Sequence, residues 1–581
     1  MCASPNSSSD SSGAASSGSA TSESASGQPQ FVTANDAQTS TPIKHLVVIF
    51  PENVSFDHYF ATYPKAANVP DEKQQGTGVA APAFTAKEGT RQANNLVTNL
   101  GTDKDKDLLT NNPNSVQPFR LTPEQAVTTD QGHNYDKEQK AYNDGKMDKF
   151  VESTSVDADK AKPGQYARDK GTVMGYYDGN TVTGMWNYAQ NYAMSDNSWT
   201  TTFGPSTPGA INLVAGNILG AKQYAPVTET NKETGEKKSD AKLSEPKNAK
   251  EVPFKVGDYG FSLTKDDQDT AAVTGDPDPA FDDCTDGSNH AGYTDRKTVG
   301  DSMNEKGITW GWFQAGFKPT KPYDEKTNTP AECGAKSKNV AGIESEDYIA
   351  HHQPFQYFAS TANPHHLPPS SVDKIGQTDQ ANHQYDMSDF DDALKADNMP
   401  SVSFLKAPAA EDGHPAYSGP LDEQKFVVNT INKIQDSKFW KDTAVVIAYD
   451  DSDGWYDHQA PKVVNGSDND TKVDGKQTYG ADSEICKAVP NQASGPGFCG
   501  PGTRVPLLVV SPYAKVNHVD HNPTEQASVL SFIEKNWDLG ELGNGSADKR
   551  AGSLDGLFDF NGSERAKPVK LDPNNGTVVE K

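Results

Sequence analysis

Residues 443–458 read "TAVVIAYDDSDGWYDH". An unbroken apolar run, rich in β-branched residues, leads straight into Asp450, Asp451, Asp453 and Asp457. A run of this length without polar alternation reads as a strand covered on both faces, as in parallel sheets. Carboxylates crowded at its end repel one another at neutral pH unless a positive partner sits among them. Ligands of open α/β sheets bind beyond the carboxyl ends of the strands, so a site is expected here.

Two other runs share this character. "IKHLVVIFPEN" (43–53) is stopped by Pro51 and delivers Glu52 and Asn53, and "RVPLLVVSPY" (504–513) is a third such strand. Helical spacing recurs between them: Met185, Trp186, Tyr188, Ala189 and Tyr192 within 179–198, a turn into a helix over 205–217, and apolar positions 427, 428, 431, 434 and 439 within 421–440. Residues 523–539 form one more helix, opened by Pro523 and Thr524. Strands alternating with helices predict one α/β domain of three layers with a mostly parallel central sheet.

The rest of the chain frames that domain. Of 581 residues only 34% are hydrophobic, with 48 glycines and 38 prolines, so much of it is loop. Residues 1–40 are Ser/Gly-rich and read as a disordered tether, 41–581 as the folded domain, and about 220–345 as a disulfide-pinned insertion. A formal charge of −27 repels nucleic acid and anionic membranes at long range. No stretch approaches the ~20 apolar residues of a membrane-spanning helix. Cys2, followed by small residues, matches the start of a bacterial lipoprotein after signal-peptide removal; an incidental cysteine is the alternative. A lipid there would be the only link to a membrane. Cys284, Cys333, Cys486 and Cys499 suit two disulfides, with sequence proximity favouring Cys284–Cys333 and Cys486–Cys499. The expected location is exported: periplasm, cell surface or medium.

Three groups carry chemistry. Glu52, Asn53, Asp450 and Asp451 form an all-oxygen set suited to one hard divalent cation of the Mg²⁺, Ca²⁺ or Mn²⁺ class. Asp453 with Gly454 reads as a turn, while Asp457 and His458 are open between support and loop. In "TTFGPSTPGA" (201–210), Ser206 precedes a helix whose N-terminal field stabilises an alkoxide or a phosphoryl oxygen, although a plain cap is the commoner role. His133, His351, His352 and His414 lie in loops beside Gly, Pro or aromatic residues, where imidazole can bind an anion or protonate a leaving group.

"KHLVVIFPENVSFDHYFATYP" resembles the opening motif of the bacterial phosphoesterase family that contains AcpA-type acid phosphatases and large phospholipases C; Val54 stands where that motif usually has arginine. "DQGHNYD", "MGYYDGN", "FGPSTPGAINL", "HHQPFQYF", "FLKAP…DGHP" and "AYDDSDGWYDH" follow in the family's order, over about residues 41–540. The resemblance implies an alkaline phosphatase-like fold. It implies one metal ion held by Glu52, Asn53, Asp450 and Asp451, with Ser206 as nucleophile and further metal contact. Asn53, His133, His352 and His414 would surround the phosphoryl group. Thr207 is the less favoured nucleophile, since relatives place the attacking residue two positions before the proline. "DDSDG" in place of Asp-Glu-His-Gly-Gly, and no room for C-terminal β domains, favour an acid phosphatase acting through a phosphoserine on small phosphomonoesters. The alternative is a phospholipase C cleaving phospholipid diesters. A sulfatase lacks its arginine here, and a non-catalytic surface lipoprotein is a distant reading.

Overall fold

The structure, a computed structural model, describes residues 30–580 apart from parts of 102–105, most of 226–270, 286–289, most of 469–481 and 491–497. Its centre is a sheet of eight strands. In chain order these are β1 (His45–Ile49), β2 (Ala193–Ser195), β3 (Trp310–Gln314), β4 (Gln384–Tyr385), β5 (Val402–Lys406), β6 (Thr443–Ala448), β7 (Leu507–Val510) and β8 (His518–Asp520). Their order across the sheet is β4-β3-β5-β1-β6-β7-β2-β8. β1 lies between β5 and β6, parallel to both, with His45 opposite Thr443 and Ile49 opposite Ile447. Every residue of β1, β3, β5, β6 and β7 is buried, as the continuous apolar runs require.

β7 runs antiparallel to both of its neighbours. Leu507 pairs with Ala448, the last residue of β6, so the chain re-enters the sheet at the end it left and must run back. An unbroken apolar run reports two-sided burial, which β7 has, and says nothing of direction.

Helices α1 (Tyr135–Tyr142), α2 (Thr183–Asn191), α3 (Ser206–Ala215), α4 (Val299–Lys306), α5 (Pro420–Asp436) and α6 (Gln526–Asn536) provide the outer layers. α3, α4 and α6 pack on one another, and α2 packs on α5. α6 starts three residues later than its proline predicts, because Thr524–Glu525 first pair with Ser198–Trp199. Both expected disulfides are present, Cys284–Cys333 and Cys486–Cys499, with Cα atoms 5.5 and 5.6 Å apart.

Two sequence boundaries shift. β3 and α4 fall inside the stretch read as an insertion over about 220–345, yet β3 is a core strand between β4 and β5. Its sequence, WGWFQ, has no β-branched residue, and its burial comes from aromatic packing against Phe355, Phe390 and Phe404. Residues 30–40 were expected within the tether, but Val32 pairs with Ile308 and Ala37 is part of the core. Residues 1–29, including Cys2, lie outside the described residues. No helix among the described residues is long and apolar enough to cross a membrane.

Candidate active site

The ends of β1, β5 and β6 and the start of α3 converge. Past Pro51, the Glu52 N–H donates to the Asp412 carbonyl at 2.9 Å. Asn53 takes a left-handed φ of 61°, which turns its N–H onto Asp450 Oδ1 at 2.8 Å. The Val54 N–H donates to the Asp451 carbonyl at 2.9 Å, and its side chain is buried in the core where the family motif carries arginine. Two segments some 400 residues apart in sequence are thus stitched together by backbone donors.

Ser206 is the first residue of α3 and is 2% exposed. Its Oγ lies 2.9 Å from Glu52 Oε2, 3.1 Å from Asn53 Oδ1 and 2.9 Å from Asp451 Oδ2. One hydroxyl proton serves one of these acceptors; the other two face it without a proton between. Asp450 Oδ2 is buried with no partner. Ligand oxygens of Glu52, Asp450 and Asp451 lie within 4.8 Å of one another. Burial, and then the adjacent Asp450 carboxylate, pushes Asp451 well above the usual carboxylate range. Surplus acceptors, an orphaned oxygen and destabilised charge all fit a hard divalent cation among these residues. Thr207 stands apart, its Oγ1 3.3 Å from the His351 carbonyl.

Helix α3 reaches this point because of Gly209. A Cβ there would lie 2.1 Å from the Asp450 carbonyl oxygen. Gly209→Ala is therefore expected to push α3 off the Asp450–Asp451 turn and to cost about 1–3 kcal/mol. The urea midpoint and the dissociation constant for Mn²⁺ should both worsen, and an unchanged pair of values would show that the turn yields freely.

Histidines border these carboxylates. His133 Nδ1 is 2.8 Å from the Gln131 carbonyl and 3.1 Å from Asp453 Oδ1. His352 is buried, with Nδ1 3.3 Å from Glu52 Oε1 and Nε2 without a partner. His414 Nδ1 sits 2.6 Å from the Pro415 carbonyl, and the ring stacks on Tyr417. The His414 ring centroid is 6.1 Å from that of His133 and 6.3 Å from that of His352, so the three form one arc. Burial lowers the pKa of His133, but Asp451, Asp453 and Asp130 outweigh it and hold the ring well above its ordinary value. Burial, then His351 and His414, draws His352 well below. His351 is half-buried, its Nδ1 3.9 Å from Asp278.

Asn53 divides its amide: Oδ1 faces Ser206, while Nδ2 donates to Asp453 Oδ1 at 2.9 Å. Asp453 does turn the chain, with φ of 55° followed by Gly454 at 72°. It also accepts the Gln131 N–H, so it binds the His133 loop to the Asp450–Asp451 turn. Asp457 and His458 lie away from Ser206, in a buried cluster with Asp57 and Arg504.

Three side chains of this region went unremarked in the sequence. Lys406, the last residue of β5, is buried against Glu52 Oε1 and donates to the Phe50 carbonyl, leaving Glu52 Oε2 to face Ser206. Asp412 is buried with Oδ2 unpartnered, 3.7 Å from His352 Nδ1. Glu138 lies behind Gly204 and Ser452. Lys406 and Asp412 fall within the span of the motif "FLKAP…DGHP", but only the position of Lys406 at the end of a buried strand marks it.

A profile of the phosphoesterase family matches residues 43–540, and the chain belongs to that family. Among similar proteins are a non-hemolytic phospholipase C of Pseudomonas aeruginosa, 32% identical over 29% of this chain and 25% of its own length, and a hemolytic phospholipase C of the same organism, 30% identical over 29% and 22%. A non-specific phospholipase C1 of Arabidopsis thaliana is 28% identical over 28% of this chain and 29% of its own. The chain thus matches less than a third of the length of each of these relatives.

Proposed function

We propose that the protein hydrolyses phosphoric esters at Ser206, beside one hard divalent cation held by Glu52, Asn53, Asp450 and Asp451. The observation that carries this reading is the Ser206 hydroxyl, at a helix N-terminus, within 3.1 Å of three acceptor oxygens from two other segments. A bound divalent cation supplies positive charge that lowers the pKa of a serine and draws electron density from a phosphoryl oxygen. The protein's own groups do the rest. The α3 terminus adds positive potential behind the phosphoryl group. Ser206 Oγ attacks phosphorus in line, the bond to the leaving alcohol breaks, and a phosphoserine forms. One of His133, His352 and His414 gives its proton to the leaving oxygen, and the others donate hydrogen bonds to the phosphoryl oxygens. Water then cleaves the phosphoserine.

For the substrate, the names of the relatives support a phospholipid-type phosphodiester, and hence the phospholipase C reading, over the acid phosphatase favoured by sequence motifs. The monoester reading stays as the second, on the strength of Asp-Ser-Asp-Gly at 451–454. Initial rates on p-nitrophenylphosphorylcholine and p-nitrophenyl phosphate separate the two. The diester is expected to be the better substrate, and chelation should abolish both rates until Mg²⁺, Ca²⁺ or Mn²⁺ is restored. A preference for the monoester would turn the assignment to acid phosphatase; no hydrolysis of either with any of the three cations would overturn it. Two disulfides support export as part of the same proposal, in an oxidising compartment.

A further inference from the structure

Glu138 sits on α1 and is 2% exposed. Its Oε2 accepts the Gly204 N–H at 2.8 Å, and its Oε1 accepts the Ser452 hydroxyl at 2.9 Å. Ser452 Oγ in turn accepts the Gly454 N–H at 3.1 Å. Gly204 is two residues before Ser206, and Ser452 follows Asp451 directly. One carboxylate therefore spans the turn that presents the nucleophile and the turn that presents the metal ligands.

Both turns need such a tie. Gly204 has φ of +122°, a conformation outside regular structure, so no helix or strand ladder fixes the direction of its N–H. Ser452 lies between the end of β6 and the left-handed pair Asp453–Gly454. Gln526 also links the two segments, from the Thr201 N–H to the Tyr449 and Asp450 carbonyls, at a residue five before Ser206. Of these two supporting side chains, Glu138 holds the residue nearer to Ser206 in sequence, Gly204 against Thr201. No Lys or Arg pairs with it among the described residues, and burial pushes its carboxyl up to about 7, so two hydrogen bonds, not a salt bridge, hold it in place.

We propose that Glu138 is a positioning residue that fixes the Ser206 turn against the Asp450–Asp451 turn, so that the nucleophile meets the cation site in register. This rests on the reading of Ser206 as nucleophile. A displacement of about 1 Å at a reacting group can cost ~100-fold in rate. Glutamine keeps the clamp without the charge: its carbonyl accepts the Gly204 N–H and its amide donates to Ser452 Oγ. Alanine removes both bonds, and aspartate withdraws the carboxylate by one methylene.

The test uses the full chain and p-nitrophenylphosphorylcholine or p-nitrophenyl phosphate, whichever wild type hydrolyses faster. Glu138→Ala is expected to lower kcat by about 100-fold with KM within about threefold, and Glu138→Gln to return kcat to within about fivefold of wild type. Mn²⁺ titration followed by electron paramagnetic resonance should show about tenfold weaker binding in Glu138→Ala and little change in Glu138→Gln. If Glu138→Ala does not fold, Glu138→Asp takes its place with the same expectations. A Glu138→Ala enzyme as fast as wild type overturns the inference. So does a Glu138→Gln enzyme as slow as Glu138→Ala, since charge would then be what matters. Ser206→Ala runs alongside: if it is as active as wild type, the functional reading itself fails, and the Mn²⁺ titration alone decides whether Glu138 holds the metal-binding turn.

Discussion

Ser206→Ala is expected to lower phosphoester turnover by at least ~1,000-fold while the protein keeps its fold. The substitution removes a single buried oxygen and leaves the start of α3 intact, because Pro205 already holds the extended conformation before it. Residual Mn²⁺ binding should persist through Glu52, Asp450 and Asp451, which remain clustered without the serine. Thr207→Ala is the matched control. Its hydroxyl faces the His351 carbonyl and none of the site carboxylates, so its rate should stay within a few-fold of wild type. Rapid acid quench during turnover, followed by peptide mass analysis, should place a phosphoryl group on Ser206. A phosphoryl group on Thr207, or an inactive Thr207→Ala beside an active Ser206→Ala, would reverse the assignment.

Arg504→Met should destabilise the protein by about 3–5 kcal/mol, the largest effect expected of any change outside the site. Arg504 is fully buried. Its Nε lies 3.0 Å from Asp457 Oδ1, one terminal nitrogen donates to Asp57 Oδ1 at 3.1 Å, and the other donates to the Asn94 and Asp196 carbonyls at 2.8 and 2.9 Å. Methionine fills much of the volume but leaves two buried carboxylates with only His458 between them, 2.6 Å from Asp57. Lysine should rescue little, because one ammonium cannot reproduce the planar fork that meets four acceptors at once. Activity should fall as well: Asp57 lies five residues after Glu52 and Asp457 six after Asp451, so Arg504 ties together the segments that carry Glu52 and Asp451. The urea midpoint of the purified variant checks this, and a loss below about 1 kcal/mol would show that the two aspartates find another partner.

The central strands were legible because burial on two faces leaves a plain mark in sequence. β1, β6 and β7 are apolar runs with abrupt ends, and polar side chains after the first two had to be at the sheet's edge. Direction was not legible for β7, since it follows from where the chain re-enters. β3 was missed because aromatic rings and a glycine replace the usual β-branched residues. In the site, Glu52, Asn53, Asp450, Asp451 and Ser206 stood out as oxygen ligands next to strand or helix ends, and the structure brings all five together. Glu138, Lys406 and Asp412 did not stand out. Each is one charged residue among the chain's 133, 53 basic and 80 acidic, and only contacts with distant turns distinguish it. The split among the histidines, His133 held high by three aspartates and His352 drawn low by burial and two neighbouring imidazoles, likewise depends on what folds against each ring.

The pairing of β1 with β6 also sets a timetable. His45–Ile49 can take its place beside Thr443–Ile447 only once nearly 400 further residues have been made. Its other neighbour, beginning at Val402, arrives scarcely sooner. During synthesis an apolar strand at the start of the domain therefore waits, without a ladder partner on either side, while several hundred residues follow. Such distant pairing is slow to form and open to misassociation. A product that ends before residue 450 also lacks Asp450 and Asp451, so Glu52 and Asn53 cannot meet the partners they have in the finished fold.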